Sequence, residues 1–309
     1  MQHIEMVPAG GNAFSHDGRT LIFSANDGSA TKAYSISVDG GMPTALADTA
    51  DTRAISYFPS DDRILLGVGN RLVVREPDNT THDLGAGSFM GWCADGSLLM
   101  GSSLSLARID GENYERRSLL DLPATRTPAL AIAAASRDCS SIALVGGTYQ
   151  SLLLADSSAA GAPFREIVPA RSGRTVVVLG FTPTNRSLNY AQREGAGFQE
   201  AFRYQLSDGQ NYLVMQSSQA DVMAIEYSPT GQFGAYYSGT NGRITDIAVV
   251  DQNSDASVPL SSGARDLRFN RDETKIAFRL ANDGWPQDIF ITYLDGGHIT
   301  RLVHAPNAH

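Results

Sequence analysis

Cysteine is nearly absent: Cys93 and Cys139 are the only two in 309 residues. Two are too few for a disulfide framework or a cysteine-based metal site. With no histidine beside either in the sequence, they read as free thiols rather than catalytic ones. No apolar run approaches the length of a membrane span, so membrane insertion is not expected. The opening residues, MQHIEMVPAGG, hold neither a basic n-region nor an apolar h-region. No signal peptide is therefore visible. The expectation is a cytoplasmic protein, or a periplasmic or secreted one if this start is processed or trimmed. Positive charge is in deficit: 24 Lys and Arg against 33 Asp and Glu leave a net charge of −9. Chains that bind phosphate backbones carry a basic surface, so nucleic acid is not an expected partner.

Turn chemistry, by contrast, recurs throughout the chain. Residues 14–46, FSHDGRTLIFSANDGSATKAYSISVDGGMPTAL, hold strand-like runs bounded by Asp-Gly, Asn-Asp-Gly and Asp-Gly-Gly, the signature of consecutive hairpins. The unit repeats. Aligned on the aspartate of its first turn, it recurs at Asp17, Asp61, Asp95, Asp138, Thr184, Thr230 and Asp272, at steps of 44, 34, 43, 46, 46 and 42 residues. An aromatic precedes the turn in most units, as in Phe14, Phe58, Trp92, Phe181, Tyr227 and Phe269. An apolar second strand follows it, at 21–23, 64–66, 98–100, 142–145, 188–190, 233–237 and 276–278. Four strands per unit of this length is propeller-blade spacing. Two β-sandwiches would not repeat one turn register in this way.

These features predict an all-β protein, a seven-bladed β-propeller of four antiparallel strands per blade, forming a single domain over residues 1–309. The blades run approximately over 8–48, 51–85, 88–122, 128–168, 174–216, 221–260 and 264–304. Six blades remain the alternative if the degenerate fourth unit merges with its neighbours. Residues 298–303 are expected as the outermost strand of the last blade, with residues 4–7 competing for that place to complete the ring and cover a strand edge.

The repeat resembles the TolB-like, WD-type propeller, whose pattern runs roughly SPDGxxIAFxSxxDGxxxIYxxDxxGGxxxxL. Several segments are closer still to the propeller half of prolyl-oligopeptidase and dipeptidyl-peptidase-like serine peptidases. They are ISYFP at 55–59, Gly91 and Trp92 with Asp95 and Gly96, YQL at 204–206 before Asp208 and Gly209, and FNRD at 269–272 before KIAF at 275–278. The resemblance implies the fold but not the peptidase chemistry. Those enzymes carry a hydrolase domain with a Gly-x-Ser-x-Gly nucleophile elbow, and no such motif occurs here. Peptidase or esterase activity is therefore not expected. The oligogalacturonide lyases, a related architecture, use a histidine-rich metal site near the channel. Here His3, His16, His82, His298, His304 and His309 are scattered along the chain, and no metal or cofactor is expected.

In propellers, ligands meet the loops that lead from an outer strand to the next inner strand and those joining second to third strands. The first set carries Arg53, Arg126, Arg171, Arg174 and Arg265. The second carries Tyr149, Arg193, Glu194, Arg243 and Trp285, with Phe198 in the longest loop, 193–200. Arginine forks pair carboxylates and phosphates bidentately, whereas local pairing with Asp51, Asp221 or Asp266 would leave no such site. The candidate ligand-binding residues are Arg53, Arg126, Tyr149, Arg174, Glu194, Phe198, Arg265 and Trp285. The functional expectation is a monomeric, non-catalytic module for a protein, peptide or small anionic ligand. A small-molecule lyase, isomerase or cyclase, or a piece of a longer peptidase-like chain, is the alternative.

Overall fold

The computed structural model describes residues 3–26, 28–102, 105–121, 130–146, 150–157, 164–194, 199–217, 221–240, 243–252, 257–260, 264–281, 287–294 and 299–304. The protein is a seven-bladed β-propeller of four-stranded antiparallel sheets, each formed by four consecutive strands. Blade 1 is β1 (His3–Met6), β2 (Thr20–Asn26), β3 (Thr31–Ser37) and β4 (Thr44–Ala45). Blade 2 is β5 (Thr52–Tyr57), β6 (Ile64–Val68), β7 (Arg71–Arg75) and β8 (Thr81–Ala86). Blade 3 is β9 (Ser88–Trp92), β10 (Leu98–Gly101), β11 (Ser105–Ile109) and β12 (Arg116–Asp121). Blade 4 is β13 (Leu130–Ala135), β14 (Ser141–Gly146), β15 (Ser151–Asp156) and β16 (Arg165–Val168). Blade 5 is β17 (Arg174–Phe181), β18 (Ser187–Glu194), β19 (Gln199–Gln205) and β20 (Asn211–Ser217). Blade 6 is β21 (Asp221–Tyr227), β22 (Phe233–Thr240), β23 (Arg243–Asp251) and β24 (Ser257–Pro259). Blade 7 is β25 (Ala264–Phe269), β26 (Lys275–Ala281), β27 (Gln287–Tyr293) and β28 (Thr300–Val303). The degenerate fourth unit thus forms a complete blade.

The chain divides into two compact units. One comprises Met1–Ser88, Ser228–Ala235 and Asp246–His309; the other comprises Phe89–Tyr227 and Tyr236–Thr245. The core of the first is centred on second and third strands, with Leu21, Ile22, Phe23, Ile64, Leu66, Ala277, Ile289 and Ile291 buried, and takes in Ile4 and Met6 of β1 and Leu302 and Val303 of β28. In the second, Leu99, Leu106, Ile142 and Leu144 form one cluster, and Val145, Leu152, Val176, Leu188 and Tyr190 another. Aromatic rings stack where second and third strands face each other in register: Phe23 on Tyr34, Tyr190 on Phe202 and Phe278 on Phe290, with centroids 5.7, 5.4 and 5.8 Å apart. Such cross-strand pairs help hold the sheets of blades 1, 5 and 7 in register.

The first turn of each blade has a repeated hydrogen-bond logic. Its aspartate accepts from the backbone N–H two residues on: Asp17 from Arg19, Asp61 from Arg63, Asp95 from Ser97, Asp138 from Ser140 and Asp272 from Thr274, at 3.0–3.2 Å. Two residues earlier, a second side-chain oxygen accepts from the N–H that opens or precedes the second strand. Ser15, Ser136, Thr182, Ser228 and Asn270 play this part. The residue after the aspartate, or after the threonine that replaces it in blades 5 and 6, sits at positive φ in most blades: Gly18, Gly96, Cys139, Asn185, Gly231 and Glu273. Glycine takes that conformation without strain, and other residues there need a reason. A reason is visible in the contacts between neighbouring turns. Asn185 Oδ1 accepts from Arg137 N, Glu273 Oε1 accepts from Thr230 N, and at the same position of blade 2 Asp62 Oδ1 accepts from His16 N.

Cys139 and Cys93 correct the expectation of free thiols. Their sulfurs form a disulfide, with Cα atoms 5.5 Å apart. Cys93 stands where other turns place Ser15 or Ser136, and Cys139 where they place Gly18 or Gly96. The neighbouring turns are already joined by Ala94 N donating to Arg137 O. Packing of one turn on the next, rather than sequence spacing, brings the sulfurs together.

The N-terminal segment also departs from expectation. Residues 3–6 do not compete for the last blade: β1 pairs antiparallel with β2 and is the first strand of blade 1. Thr300–Val303 alone forms the fourth strand of blade 7, paired to β27. Residues 7–19 connect β1 to β2, and Phe14, read from the sequence as the end of an inner strand, makes only an isolated bridge to Leu21. Gly11 lies so close to blade 2 that a Cβ would sit 2.5 Å from Ile55 O. Blade 7 holds β1 with side chains instead of strand pairing. Buried Arg268 donates to Val7 O from Nε and Nη2 at 3.1 and 2.5 Å, and Arg279 Nη1 donates to Ile4 O at 2.7 Å.

The turn aspartates make stability acid-sensitive. Hydrogen bonding by the Arg19 N–H lowers Asp17, and the Thr274 hydroxyl lowers Asp272. Partial burial pushes Asp61 upward, but bonds from the Arg63 side chain and backbone outweigh it and hold it at about 2. A depressed carboxylate stabilises the fold fully above its unfolded value of 3.8 and loses that contribution as pH falls through the folded value. The melting temperature is expected to be flat above about pH 5 and to fall by several degrees between about pH 4 and 2. Asp61→Asn should shallow that fall. Melts followed by circular dichroism across this range test it, and a flat profile down to pH 2 would show that these carboxylates contribute nothing.

Candidate functional site

In the second unit the sequence brings two arginines and a glutamate together. Gly173, at φ 78°, closes a turn in which Arg174 N donates to Arg171 O at 3.2 Å. Arg174 then opens β17 directly opposite Glu194, the last residue of β18. Directly opposed residues on a ladder share a face. Arg174 donates to Glu194 Oε1 from Nε at 3.1 Å and from Nη2 at 2.7 Å, and its Nη1 donates to Pro169 O at 3.0 Å. Arg171 Nη1 reaches the same Oε1 at 3.1 Å. The bonds from Arg174 hold the Glu194 carboxyl below its ordinary range. Arg174 is largely buried at 10% exposure, whereas Arg171 at 65% and Glu194 at 46% face solvent. The cluster is an anchored guanidinium, a solvent-exposed one and a shared carboxylate, with one net positive charge.

The first unit carries Arg53 and Arg265. Arg53 lies near the start of β5, opposite Gly67, exposed and with no partner among the described residues. Arg265 lies opposite Arg279 across the β25–β26 ladder, and its buried Nε meets no hydrogen-bond acceptor among the described residues. Asp266, expected as a local partner for Arg265, instead pairs with Arg279. The register shifts between Arg265 and Arg268, and Asp266 adopts φ 50°. A bulge of this kind re-aims the side chains of an inner strand.

Of the residues singled out from the sequence, Arg174 and Glu194 are therefore in contact, and Arg171 joins them. Arg53 and Arg265 belong to the other unit. Arg126, Tyr149, Phe198 and Trp285 lie outside the described residues. Sequence reading missed Arg268 and Arg279. The signal was present, because arginine interrupts a run of apolar residues in β26, KIAFRLA. The described histidines engage separate partners: His3 with Glu5, His82 with Glu76, His304 with Asp288 and His16 with Arg271. Among the described residues, no group of three or more His, Cys, Asp or Glu is placed to hold a metal ion. Likewise no helix among them is long and apolar enough to cross a membrane.

Comparison with known protein families finds no match, and neither does comparison with curated protein sequences. Solved structures do share the fold. An oligogalacturonate lyase in complex with manganese aligns with a TM-score of 0.71 at 12% identity, over 95% of this chain and 90% of that one. A prolyl endopeptidase aligns with a TM-score of 0.67 at 14% identity, over 99% of this chain and 50% of the enzyme, so the chain spans about half its length. TolB from Acinetobacter baumannii aligns with a TM-score of 0.50 at 12% identity, over 96% of this chain and 77% of that one. At these identities the likeness is one of fold: a TolB-like, peptidase-like propeller, with no hydrolase domain in these residues.

Proposed function

We propose that the protein is a non-catalytic propeller that binds a small anionic ligand, or a carboxylate of a peptide, at the arginine-bearing loops before its inner strands. The observation that carries this reading is the Arg171–Arg174–Glu194 cluster. Arg174 is held in one geometry by Pro169 O, and a carboxylate already occupies its fork. Arg171 keeps most of its side chain in water beside it. An incoming carboxylate takes Arg171 at the exposed face of the cluster, with Arg174, fixed by Pro169 O, as the preorganised positive charge behind it.

A second reading rests on the likeness to the oligogalacturonate lyase, which covers nearly the whole of both chains. That enzyme's substrate is itself a polycarboxylate, so one probe serves both readings. Trigalacturonate, citrate and phosphate are titrated by calorimetry, and trigalacturonate is also incubated with manganese while the ultraviolet absorbance of an unsaturated uronide is followed. Binding without absorbance change, weakened about tenfold or more by Arg174→Ala with folding intact, is the expected result. Growth of the absorbance would replace the binding module with a lyase. Binding indifferent to Arg174→Ala and Arg171→Ala would remove the cluster from the function. Hydrolysis of a peptide or ester, abolished by changing one serine, would overturn both readings.

A further inference from the structure

A cleft of about 340 Å³ opens between blades 1 and 2, on the side of the aspartate turns and wholly within the first unit. That volume lies at the lower end of small-molecule sites. Its charged lining is Asp17, Asp62 and Arg75, and its apolar lining includes Leu46 and Ile64. The two carboxylates take hydrogen bonds from turn atoms, Asp17 from Ser15 Oγ and Arg19 N, and Asp62 from His16 N. Among the described residues, the Arg75 guanidinium hydrogen-bonds only to the neutral Asn79 side chain. None of the three forms an ion pair among the described residues. Tyr57 also lines the cleft. It is 4% exposed, yet its hydroxyl is bonded to no described residue. The oxygen is not shut away: it opens on the cleft, where water or a ligand can meet it.

We infer that this cleft binds a small zwitterion of the amino-acid or short-peptide class, its ammonium toward Asp17 and Asp62 and its carboxylate toward Arg75. A simple anion would face two carboxylates, and a simple cation would face the guanidinium. Only a ligand carrying both signs is matched by both. Leu46 and Ile64 offer a wall for a small apolar side chain. Burial, and then the charges of Asp62 and Asp17, push the Tyr57 hydroxyl far above its ordinary value, so it stays protonated and donates to the ligand carboxylate.

The test is calorimetric titration of the full chain with L-alanine and L-alanyl-L-alanine, which separates a single amino acid from a peptide. Saturable one-to-one binding of either supports the inference. N-acetyl-L-alanyl-L-alanine lacks the ammonium and L-alanyl-L-alanine amide lacks the carboxylate. Each should bind at least about tenfold more weakly than the parent dipeptide, the loss of one charged hydrogen bond. Asp62→Asn and Arg75→Gln should weaken binding to a similar degree with unchanged melting temperatures. Tyr57→Phe should weaken it less, and its own melt reports whether the core survives. Arg174→Ala should leave it unchanged, which keeps this cleft independent of the arginine cluster. Absence of binding by both uncapped probes overturns the inference. So does equal binding of the capped peptides, or indifference to both Asp62→Asn and Arg75→Gln.

Discussion

Removing residues 1–8 is expected to lower the melting temperature by about 6–15 °C, far more than loss of a loose tail. The segment is the first strand of blade 1, paired residue for residue from His3 opposite Asn26 to Met6 opposite Phe23. Ile4, Met6 and Val7 are buried in the core of the first unit. Deletion opens the edge of β2. It also takes away the carbonyls of Val7 and Ile4, which accept from Arg268 and Arg279. Withdrawing its carbonyl from each of these two guanidinium groups costs about 1.5–3 kcal/mol, and each kcal/mol shifts the melting of a domain somewhat smaller than this one by roughly 2–4 °C. Arg268→Met should cost less than the deletion, because it removes the buried charge itself and leaves only the neutral Val7 carbonyl without that donor. Thermal melts of the two variants beside the parent decide the matter. An unchanged melt on deletion would mean that β1 contributes nothing.

That strand marks the limit of what the sequence discloses. The seven turns were legible because their chemistry is local. An aspartate bonding two residues ahead, a left-handed residue after it, or both leave a similar trace in most units. The second strands were legible because they are buried on both faces and read as apolar runs. In blade 1 the aromatic Phe14 kept its place before the turn while the paired strand moved upstream to residues 3–6, beyond a connection that carries no periodicity. Similarly, Arg174 and Glu194 were legible as loop residues. Their contact depends on strand register, which sets the first residue of β17 against the last of β18, and Arg171 joins through a turn that needs Gly173. The cleft was not legible at all. Asp17, Asp62, Tyr57 and Arg75 serve their own turns and strands, and they converge only when blade 1 packs on blade 2.

Reduction of the Cys93–Cys139 disulfide is expected to lower the melting temperature by about 4–15 °C. The bridge spans 46 residues and ties blade 3 to blade 4. Closing a loop of that length in the unfolded chain is worth at most about 4 kcal/mol, and bridges in proteins commonly deliver about 2–4. The repeat supplies an unusually fair control. Cys93 occupies the position of the turn serine, and Cys139 that of the left-handed glycine, with φ 58°. The double change Cys93→Ser with Cys139→Gly therefore restores the pattern of the other blades while removing the cross-link. It should regain a turn hydrogen bond of about 1 kcal/mol and relieve backbone strain of about 1–2 kcal/mol. The double variant is accordingly expected to melt above the reduced wild type, below the oxidised one, and identically with or without reductant. A wild type indifferent to reductant would show that the bridge does not form or does not matter. A variant as stable as the oxidised protein would show that blade-to-blade turn packing, not the cross-link, holds this edge. A disulfide of this weight persists in an oxidising compartment, so the same melts measure how much stability the chain would forfeit in a reducing one.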